Sequence, residues 1–250
     1  MSLVTTNAER LLDGHYKTLV FVAHPDDESI ASSFFLQRQR HSYVAFATSG
    51  GYTTPDRLHR VNLPSLSAYA SKREEEALNA LRLVPEPQGR EFFRLSDFRL
   101  HHNLGECFEM LSDAAQRHKP DFLLTHAFEG GHGDHDCCSF IASRIRRRLG
   151  VNVWEMPTYH REGLRVVSQA FREGIDDTTV VATPSQSERD VKKAMLECHR
   201  TQTTLDVFGE LGIDVAAPEL YRPQREHDYQ DKAVVSPALA ASFEAFDATF

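Results

Sequence analysis

The chain contains few of the residues that mark disulfide-rich or thiolate-metal proteins. Its 250 residues include four cysteines. Their low number and irregular spacing exclude the disulfide framework of a small secreted protein, so a reducing, cytoplasmic compartment is expected. They also lack the paired spacing of a thiolate metal site, and we interpret the adjacent Cys137 and Cys138 as small core residues.

Long hydrophobic runs are missing as well. No stretch of about eighteen apolar residues occurs, so the sequence predicts no integral membrane segment. The first fifteen residues are polar and include Glu9, Arg10 and Asp13, unlike the apolar core of a signal peptide.

A surplus of positive charge is also absent. The net charge is -8 at pH 7 and the isoelectric point is about 5.9. A nucleic-acid-binding domain usually has a basic face, so this charge argues against a nucleic-acid partner. The densest basic run, 144–148, is flanked by Ile141 and Leu149 at helical spacing and is predicted to be the solvent face of a helix.

No glycine-rich nucleotide motif occurs, whether Gly-x-Gly-x-x-Gly or Gly-x-x-x-x-Gly-Lys-Ser/Thr. The pair Gly50 and Gly51 follows a predicted strand, where a tight turn is the simpler interpretation. A non-catalytic α/β module that holds a phosphate or nucleotide at a helix start stays open as the alternative from another functional class.

Strand-like and helix-like patterns alternate through most of the chain. This alternation predicts a mainly parallel α/β sheet flanked by helices. Strands are predicted over 17–23, 42–48, 91–95, 122–126 and 151–159, and helices over 27–39, 71–83, 103–118, the segment from 136 to about 149, and 187–198.

Other segments have weaker patterns. We expect a short helix over 7–12, a peripheral hairpin of 164–171 with 178–182, and a last helix over 237–246. The connection 52–70 has no clean period and is interpreted as a lid or binding loop. The whole chain is predicted to be a single domain, with a core of about 15–202 and an irregular C-terminal extension of about 203–250.

Two polar clusters follow predicted buried strands. His24 and Asp27 come after the first strand, and His135 comes after the strand over 122–126. The carboxyl ends of parallel strands share one edge of a sheet, so these side chains are expected to meet there. Two imidazoles and a carboxylate with one open position form the ligand set of a catalytic zinc. The alternative is that the acidic residues after the first strand only cap the next helix.

Metal-assisted hydrolysis needs further groups around the metal. A carboxylate must act as general base, and another group must stabilise the oxyanion or protonate the leaving group. Asp26 is the candidate base, His132 the candidate acid or electrophile, and Asp134 a carboxylate that fixes the tautomer of a histidine. Glu129 and Asp136 are interpreted as supporting or helix-capping residues.

Two motifs give the chain a family resemblance. Residues 23–28, Ala-His-Pro-Asp-Asp-Glu, resemble the opening signature of the PIG-L/LmbE-like zinc-dependent de-N-acetylases. The second motif of that family, usually His-Pro-Asp-His, is His-Gly-Asp-His at 132–135. Glycine in place of proline loosens the loop and leaves the three functional side chains in place.

Two further segments resemble the family less specifically. Arg73-Glu74-Glu75 is similar to a helix start whose arginine faces the substrate pocket; a surface salt bridge with Glu76 or a neighbour is the alternative. Residues 199–202, His-Arg-Thr-Gln, are similar to a late His-x-Ser/Thr-Gln element, and the resemblance fades beyond them.

The resemblance implies a Rossmann-like fold and a zinc ion bound by His24, Asp27 and His135. It also implies Asp26 as the base and His132 as the acid or oxyanion stabiliser. The implied reaction is hydrolysis of the acetamide of a small-molecule N-acetylated sugar conjugate to a free amine and acetate. An amidase that cleaves a larger acyl group or a thiol conjugate is the alternative. The choice between a lipid-linked and a small acceptor, and the oligomeric state, stay open.

Overall fold

The computed structural model describes residues 11–85 and 89–249. Most of the predicted helix over 7–12 lies outside this part of the chain. Among the described residues, no helix is both long enough and apolar enough to cross a membrane.

A seven-stranded sheet forms the centre of the protein. Its spatial order is β3-β2-β1-β4-β5-β9-β8. The pairs β3–β2, β2–β1, β1–β4 and β4–β5 are parallel, whereas β9 pairs antiparallel with both β5 and β8. The strands are β1 (Lys17–Val22), β2 (His41–Thr48), β3 (Gly89–Leu95), β4 (Phe122–His126), β5 (Asn152–Met156), β8 (Val180–Ala182) and β9 (Glu219–Pro223). The predicted mainly parallel α/β architecture is confirmed.

Helices cover both faces of this sheet, which explains why β1 and β4 are almost wholly buried. On one face, Phe21 and Leu123 pack in a core with Phe140. On the other face, Val20 and Leu124 pack in a second core that does not share these residues. The helices are α1 (Asp27–Ala31), α2 (Ser33–Arg38), α3 (Pro55–Arg60), α4 (Leu66–Leu81), α5 (Leu104–His118), α6 (Gly133–Leu149), α7 (Gln186–Cys198), α8 (Arg200–Thr204), α9 (Val207–Leu211) and α10 (Pro237–Asp247).

The helix predicted over 27–39 is interrupted at Ser32. The backbone N–H of Ser32 and its hydroxyl both donate to the carbonyl oxygen of Glu28, at 3.2 and 3.0 Å. A serine hydroxyl that competes for a helix carbonyl weakens helix continuation, and the chain divides into α1 and α2.

The connection 52–70 is more regular than predicted. It contains α3 and the first turn of α4. Thr54 accepts a hydrogen bond from the N–H of Arg57, with Pro55 at the start of the helix, and Ser65 caps α4 in the same way through Ala68. These capping residues are visible in the sequence. The absence of a clean period therefore did not mean that the segment lacks helices.

The predicted pairing of 164–171 with 178–182 is also wrong. Strand β7 (Arg165–Ser168) pairs with β6 (Tyr159–Glu162) in a separate two-stranded sheet, and β8 joins the central sheet through β9. The two-residue connection Gly163-Leu164 explains this pairing, because Gly163 has φ 62° and such loops join adjacent antiparallel strands. The segment beyond residue 203, predicted to be irregular apart from its last helix, thus also contributes β9 to the sheet.

Candidate metal centre

The two polar clusters meet at the carboxyl ends of β1 and β4, which are neighbours in the sheet. Nδ1 of His24 lies 3.2 Å from Nε2 of His135. The carboxylate of Asp27 lies 3.3 Å from each of these nitrogens, through Oδ2 to His24 and Oδ1 to His135. Two potential ligands three residues apart, His24 and Asp27, therefore form one compact triangle with His135, which is more than a hundred residues away in sequence.

The triangle has the dimensions of a metal site. In a tetrahedral zinc site, bonds of about 2.0–2.1 Å place neighbouring ligand atoms about 3.3 Å apart. The observed separations of 3.2 and 3.3 Å match this spacing. All three side chains are buried, so a cation bound there would be shielded from solvent. The residues present therefore fit a zinc ion.

Other groupings of potential ligands overlap with this triangle. Within the described residues, three sets have ligand atoms within 4.8 Å of one another: His24, His132 and His135; His24, Asp97, His132 and Asp134; and Asp27, His126 and His135. His126 is already occupied: its Nε2 accepts the N–H of Ala23 at 3.0 Å, and its Nδ1 lies 2.8 Å from Thr158 Oγ1. Its ring stacks on that of His135 at 4.0 Å, so His126 holds the ring of His135 in place.

Asp27 is ionised by its surroundings. Burial raises the pKa of Asp27, but His135 and His126 outweigh it and hold the pKa well below its usual value. The carboxylate also accepts the backbone N–H of His24 at 2.8 Å, which fixes the turn between β1 and α1. The capping interpretation does not describe Asp26, whose side chain makes no cap hydrogen bond to α1.

The second ring nitrogen of His24 faces two carboxylates. Nε2 lies 3.1 Å from Asp97 Oδ1 and 3.4 Å from Asp134 Oδ2. Metal-bound histidines commonly donate their other N–H to such a partner, which leaves the opposite nitrogen free to bind metal. Burial alone would raise the pKa of Asp97, but the adjacent His24 lowers it to about 2.

Asp134 lies where the sequence predicts a supporting carboxylate, whereas sequence reasoning missed Asp97. The only feature of the sequence that could have indicated Asp97 is its position after β3, because the carboxyl end of β3 lies at the same edge of the sheet as both motifs.

Arg73 is an internal partner of Asp26. Its Nη2 lies 2.9 Å from Asp26 Oδ2, and its guanidinium donates to the carbonyl oxygens of Pro25 and Gly50 at 3.0 and 3.1 Å. Burial raises the pKa of Asp26 and Arg73 lowers it, with a net rise. The alternative pair with Glu76 does not form, because Glu76 instead accepts from the N–H and hydroxyl of Thr201.

His132 stands at the start of α6 and is electrically neutral. Its Nδ1 accepts the N–H of Asp134 at 3.2 Å, so its proton is on Nε2. Burial, together with the neighbouring His24 and His135, lowers the pKa of His132 to about 3. Its ring packs between those of His24 and Phe98, at centroid distances of 4.6 and 4.5 Å.

The loop before His132 depends on glycine. A Cβ atom on Gly131 would lie 1.9 Å from the carbonyl oxygen of Tyr159, so no other residue fits without moving the backbone. Asp136 then fixes the loop, because its Oδ1 accepts the N–H groups of Glu129 and Gly130 at 3.1 and 3.0 Å.

A cavity of about 140 Å³ opens beside the triangle. Of the predicted residues, His24, Asp26, Asp27, Arg73 and His132 line it. Three further wall residues, Tyr52, Arg57 and Tyr69, belong to the 52–70 connection that was interpreted as a lid or binding loop. The rest of the wall consists of Gln202 and of residues that were not predicted: Ile30, Asp97, Phe98, Tyr159, Val207 and Leu211. Gln202, from the weakly matching 199–202 element, donates to the hydroxyl of Tyr69 at 2.8 Å. His199 of that element contacts Ser29 and Glu28 behind this wall.

Several solved structures have the same fold. The zinc-inhibited form of teicoplanin deacetylase Orf2 is 16% identical, covers 83% of this chain and 97% of its own, and has a TM-score of 0.63. The N,N'-diacetylchitobiose deacetylase from Pyrococcus horikoshii is 14% identical, covers 88% of both chains, and has a TM-score of 0.64.

The same fold also occurs with a different chemistry. GalB, the 4-carboxy-2-hydroxymuconate hydratase from Pseudomonas putida KT2440, is 19% identical, covers 85% of this chain and 99% of its own, and has a TM-score of 0.56. The fold therefore does not decide the reaction. Comparison with curated protein sequences finds no match.

The family comparison is more specific. Residues 19–146 match the PIG-L model, described as GlcNAc-PI de-N-acetylase. This match spans just over half of the chain and includes both polar motifs with the triangle of His24, Asp27 and His135. The chain belongs to the PIG-L family, whose members are metal-dependent de-N-acetylases.

Proposed function

We propose that this protein is a zinc-dependent hydrolase that removes the acetyl group from the amide nitrogen of an N-acetylated sugar or sugar conjugate. The observation that carries the proposal is the buried triangle of His24 Nδ1, His135 Nε2 and Asp27, with sides of 3.2–3.3 Å, beside a cavity that Asp26 and His132 also line.

His24, Asp27 and His135 would hold the metal. A donor set of two nitrogens and one oxygen suits zinc, and a similarly folded deacetylase has been solved in a zinc-inhibited form. Zinc bound there would polarise the amide carbonyl and make water more acidic.

Asp26 is the proposed general base. It lines the cavity and takes a proton from the attacking water as the oxygen approaches the acetamide carbon. The ion pair with Arg73 at 2.9 Å holds the carboxylate in one orientation. The proton on Asp26 then passes to the departing nitrogen, so that the products are the free amine and acetate.

His132 is proposed to act on the carbonyl oxygen. As a neutral imidazole with its proton on Nε2, it donates a hydrogen bond to the oxygen as negative charge develops there. Asp134 and Asp97 keep the Nε2–H of His24 directed towards themselves, which leaves His24 Nδ1 in its place in the triangle.

A reducing, cytoplasmic compartment belongs to the same proposal. All four cysteines are free, and three of them are buried. Burial raises the pKa of Cys107, Cys137 and Cys138, which keeps these thiols protonated and agrees with a packing role.

The function is tested with a matched substrate panel. Zinc-loaded protein is incubated with 2-acetamido sugars, their glycosides, and the same compounds with longer N-acyl groups, and the released acid is quantified. Release of acetate in preference to larger acids is the expected result. Preferential release of larger acids would favour the amidase alternative, and release of no acid from any compound would contradict both.

A further inference from the structure

Two aromatic side chains are exposed at the mouth of the cavity. Tyr52 is 60% and Phe98 is 55% exposed, and their ring centroids lie 5.2 Å apart. Both residues line the cavity beside the triangle of potential metal ligands. Adjacent large apolar side chains left open to solvent beside a site commonly mark a binding surface.

The backbone of Phe98 holds a costly conformation. Its φ is 60°, in the left-handed region that a bulky residue rarely adopts. The conformation is maintained by Asp134, which accepts the N–H of Phe98 at 2.7 Å and that of Leu100 at 3.1 Å. Conformations of this kind persist where the surrounding structure enforces them, often at functional sites.

The backbone of Tyr52 is held by the carboxylate of Asp97. Its backbone N–H donates to Asp97 Oδ2 at 3.1 Å. Asp97 and Asp134 are also the two carboxylates that face Nε2 of His24. The groups that orient His24 therefore also fix the two exposed aromatic residues relative to it.

The aromatic surface is continuous with the site. The ring of Phe98 packs 4.5 Å from that of His132, and His132 packs 4.6 Å from His24. The cavity is also lined by the apolar side chains of Val207 and Leu211. A ligand that extends outwards from the triangle thus meets aromatic and aliphatic side chains at the mouth.

We propose that Tyr52 and Phe98 form a platform that binds a flat apolar group, such as an aryl ring, attached to the acetamido sugar. The preferred substrates are then sugar conjugates with such a group and not the free sugar. This inference rests on the proposed deacetylase function, because it assigns the part of the substrate that lies beyond the sugar.

The platform can be tested by binding alone. The phenyl and methyl glycosides of the free amino sugar, in the same anomeric form, contain no acetamide and cannot be deacetylated. Their Kd values for the zinc-loaded protein are measured by isothermal titration calorimetry. We expect the phenyl glycoside to bind about two- to tenfold more tightly, the range typical of an aromatic pair.

Substitutions test whether Phe98 and Tyr52 cause the tighter binding of the phenyl glycoside. Phe98→Ala and Tyr52→Ala should each remove most of it, because both keep the backbone N–H groups that bind Asp134 and Asp97. Leu164→Ala is the control, since Leu164 is fully exposed at the tip of the β6–β7 hairpin and does not line the cavity. Unchanged zinc content in each variant shows that the site is intact.

Equal Kd values for the two glycosides, no binding of either, or a preference that survives both aromatic substitutions would overturn the platform. Acetate release from the acetylated phenyl glycoside is measured separately. Tight binding of the phenyl glycoside without release of acetate would leave the platform standing and would refute the proposed function.

Discussion

The inner and outer parts of the cavity are built in different ways. The inner part is buried and tightly bonded: the side chains of His24, Asp27 and His135 all lie within hydrogen-bonding distance of several partners. The outer part includes α3, which has no buried residue, and the exposed Tyr52 and Phe98. The buried inner part has the fixed geometry that a chemical reaction needs. The exposed outer part suits substrate selection, because exposed contacts can change without loss of the fold.

The largest effect is expected from the triangle itself. His24→Ala and His135→Ala should each lose bound zinc and reduce deacetylation to background, because two ligands cannot retain the ion. Zinc per chain is measured by inductively coupled plasma mass spectrometry. His59→Ala, on the exposed face of α3, is the control and should keep both zinc and activity. Retention of stoichiometric zinc in His24→Ala would contradict the assignment.

Substitution of Asp26 should lower turnover and leave the zinc content unchanged. Asp26→Asn keeps the shape of the side chain but removes the base, so we expect kcat to fall by about 10²–10⁴-fold. Asp56→Asn, in the exposed first turn of α3, provides the matched control. Loss of zinc in Asp26→Asn, or a kcat close to that of the unmodified protein, would refute its role as base.

Asp97 should act through His24. Asp97→Asn is expected to weaken zinc binding by about 10–100-fold, the usual effect of removing a partner behind a metal-bound histidine. Zinc affinity is measured by competition with a chelator, and activity should recover in excess zinc. The same substitution at the exposed Asp113 should change neither quantity. An unchanged zinc affinity in Asp97→Asn would show that Asp134 alone orients His24.

Glu129 should give the fold a pH dependence. Burial raises the pKa of Glu129 from 4.5 to about 8. A raised folded-state pKa means that the stabilisation is fully present below the unfolded value and is lost as pH rises through about 8. The Tm of the unmodified protein should therefore fall as the pH rises from about 4.5 to about 8. The Tm of Glu129→Gln should fall less over the same pH range. Equal pH profiles for the two proteins would contradict the raised pKa.

The smallest effect is expected at the rim. The side chains of Arg57 and Glu210 are 42% and 63% exposed, and their charged groups lie 3.8 Å apart. Exposed ion pairs of this kind contribute about 0–1 kcal/mol, so Arg57→Ala should leave Tm nearly unchanged. A marked loss of stability would show that α3 belongs to the rigid inner part.

The strands that lead into the inner part were predictable because their sequence information is local. Short patterns mark the buried strands, and β4 coincides with the predicted 122–126. Parallel pairing of β1 with β4 then brings both motifs to one edge, and the structure places the predicted residues there.

Asp97 and Phe98 were missed because tertiary contacts determine their positions. Asp97 and Phe98 follow β3, whose residues are mostly half-buried and give no clear periodic signal. The positive φ of Phe98 depends on the distant Asp134 and has no local signature. Likewise, the short strand β9 is defined by its pairing with β5 and β8 and not by its own pattern.

The most direct test is an anomalous-difference map from a crystal of the zinc-loaded protein, recorded at the zinc absorption edge. We expect one peak at about 2.0–2.2 Å from His24 Nδ1, His135 Nε2 and a carboxylate oxygen of Asp27. A peak among Asp97, Asp134 and His132 instead, or no peak near His24, would contradict the shared metal site.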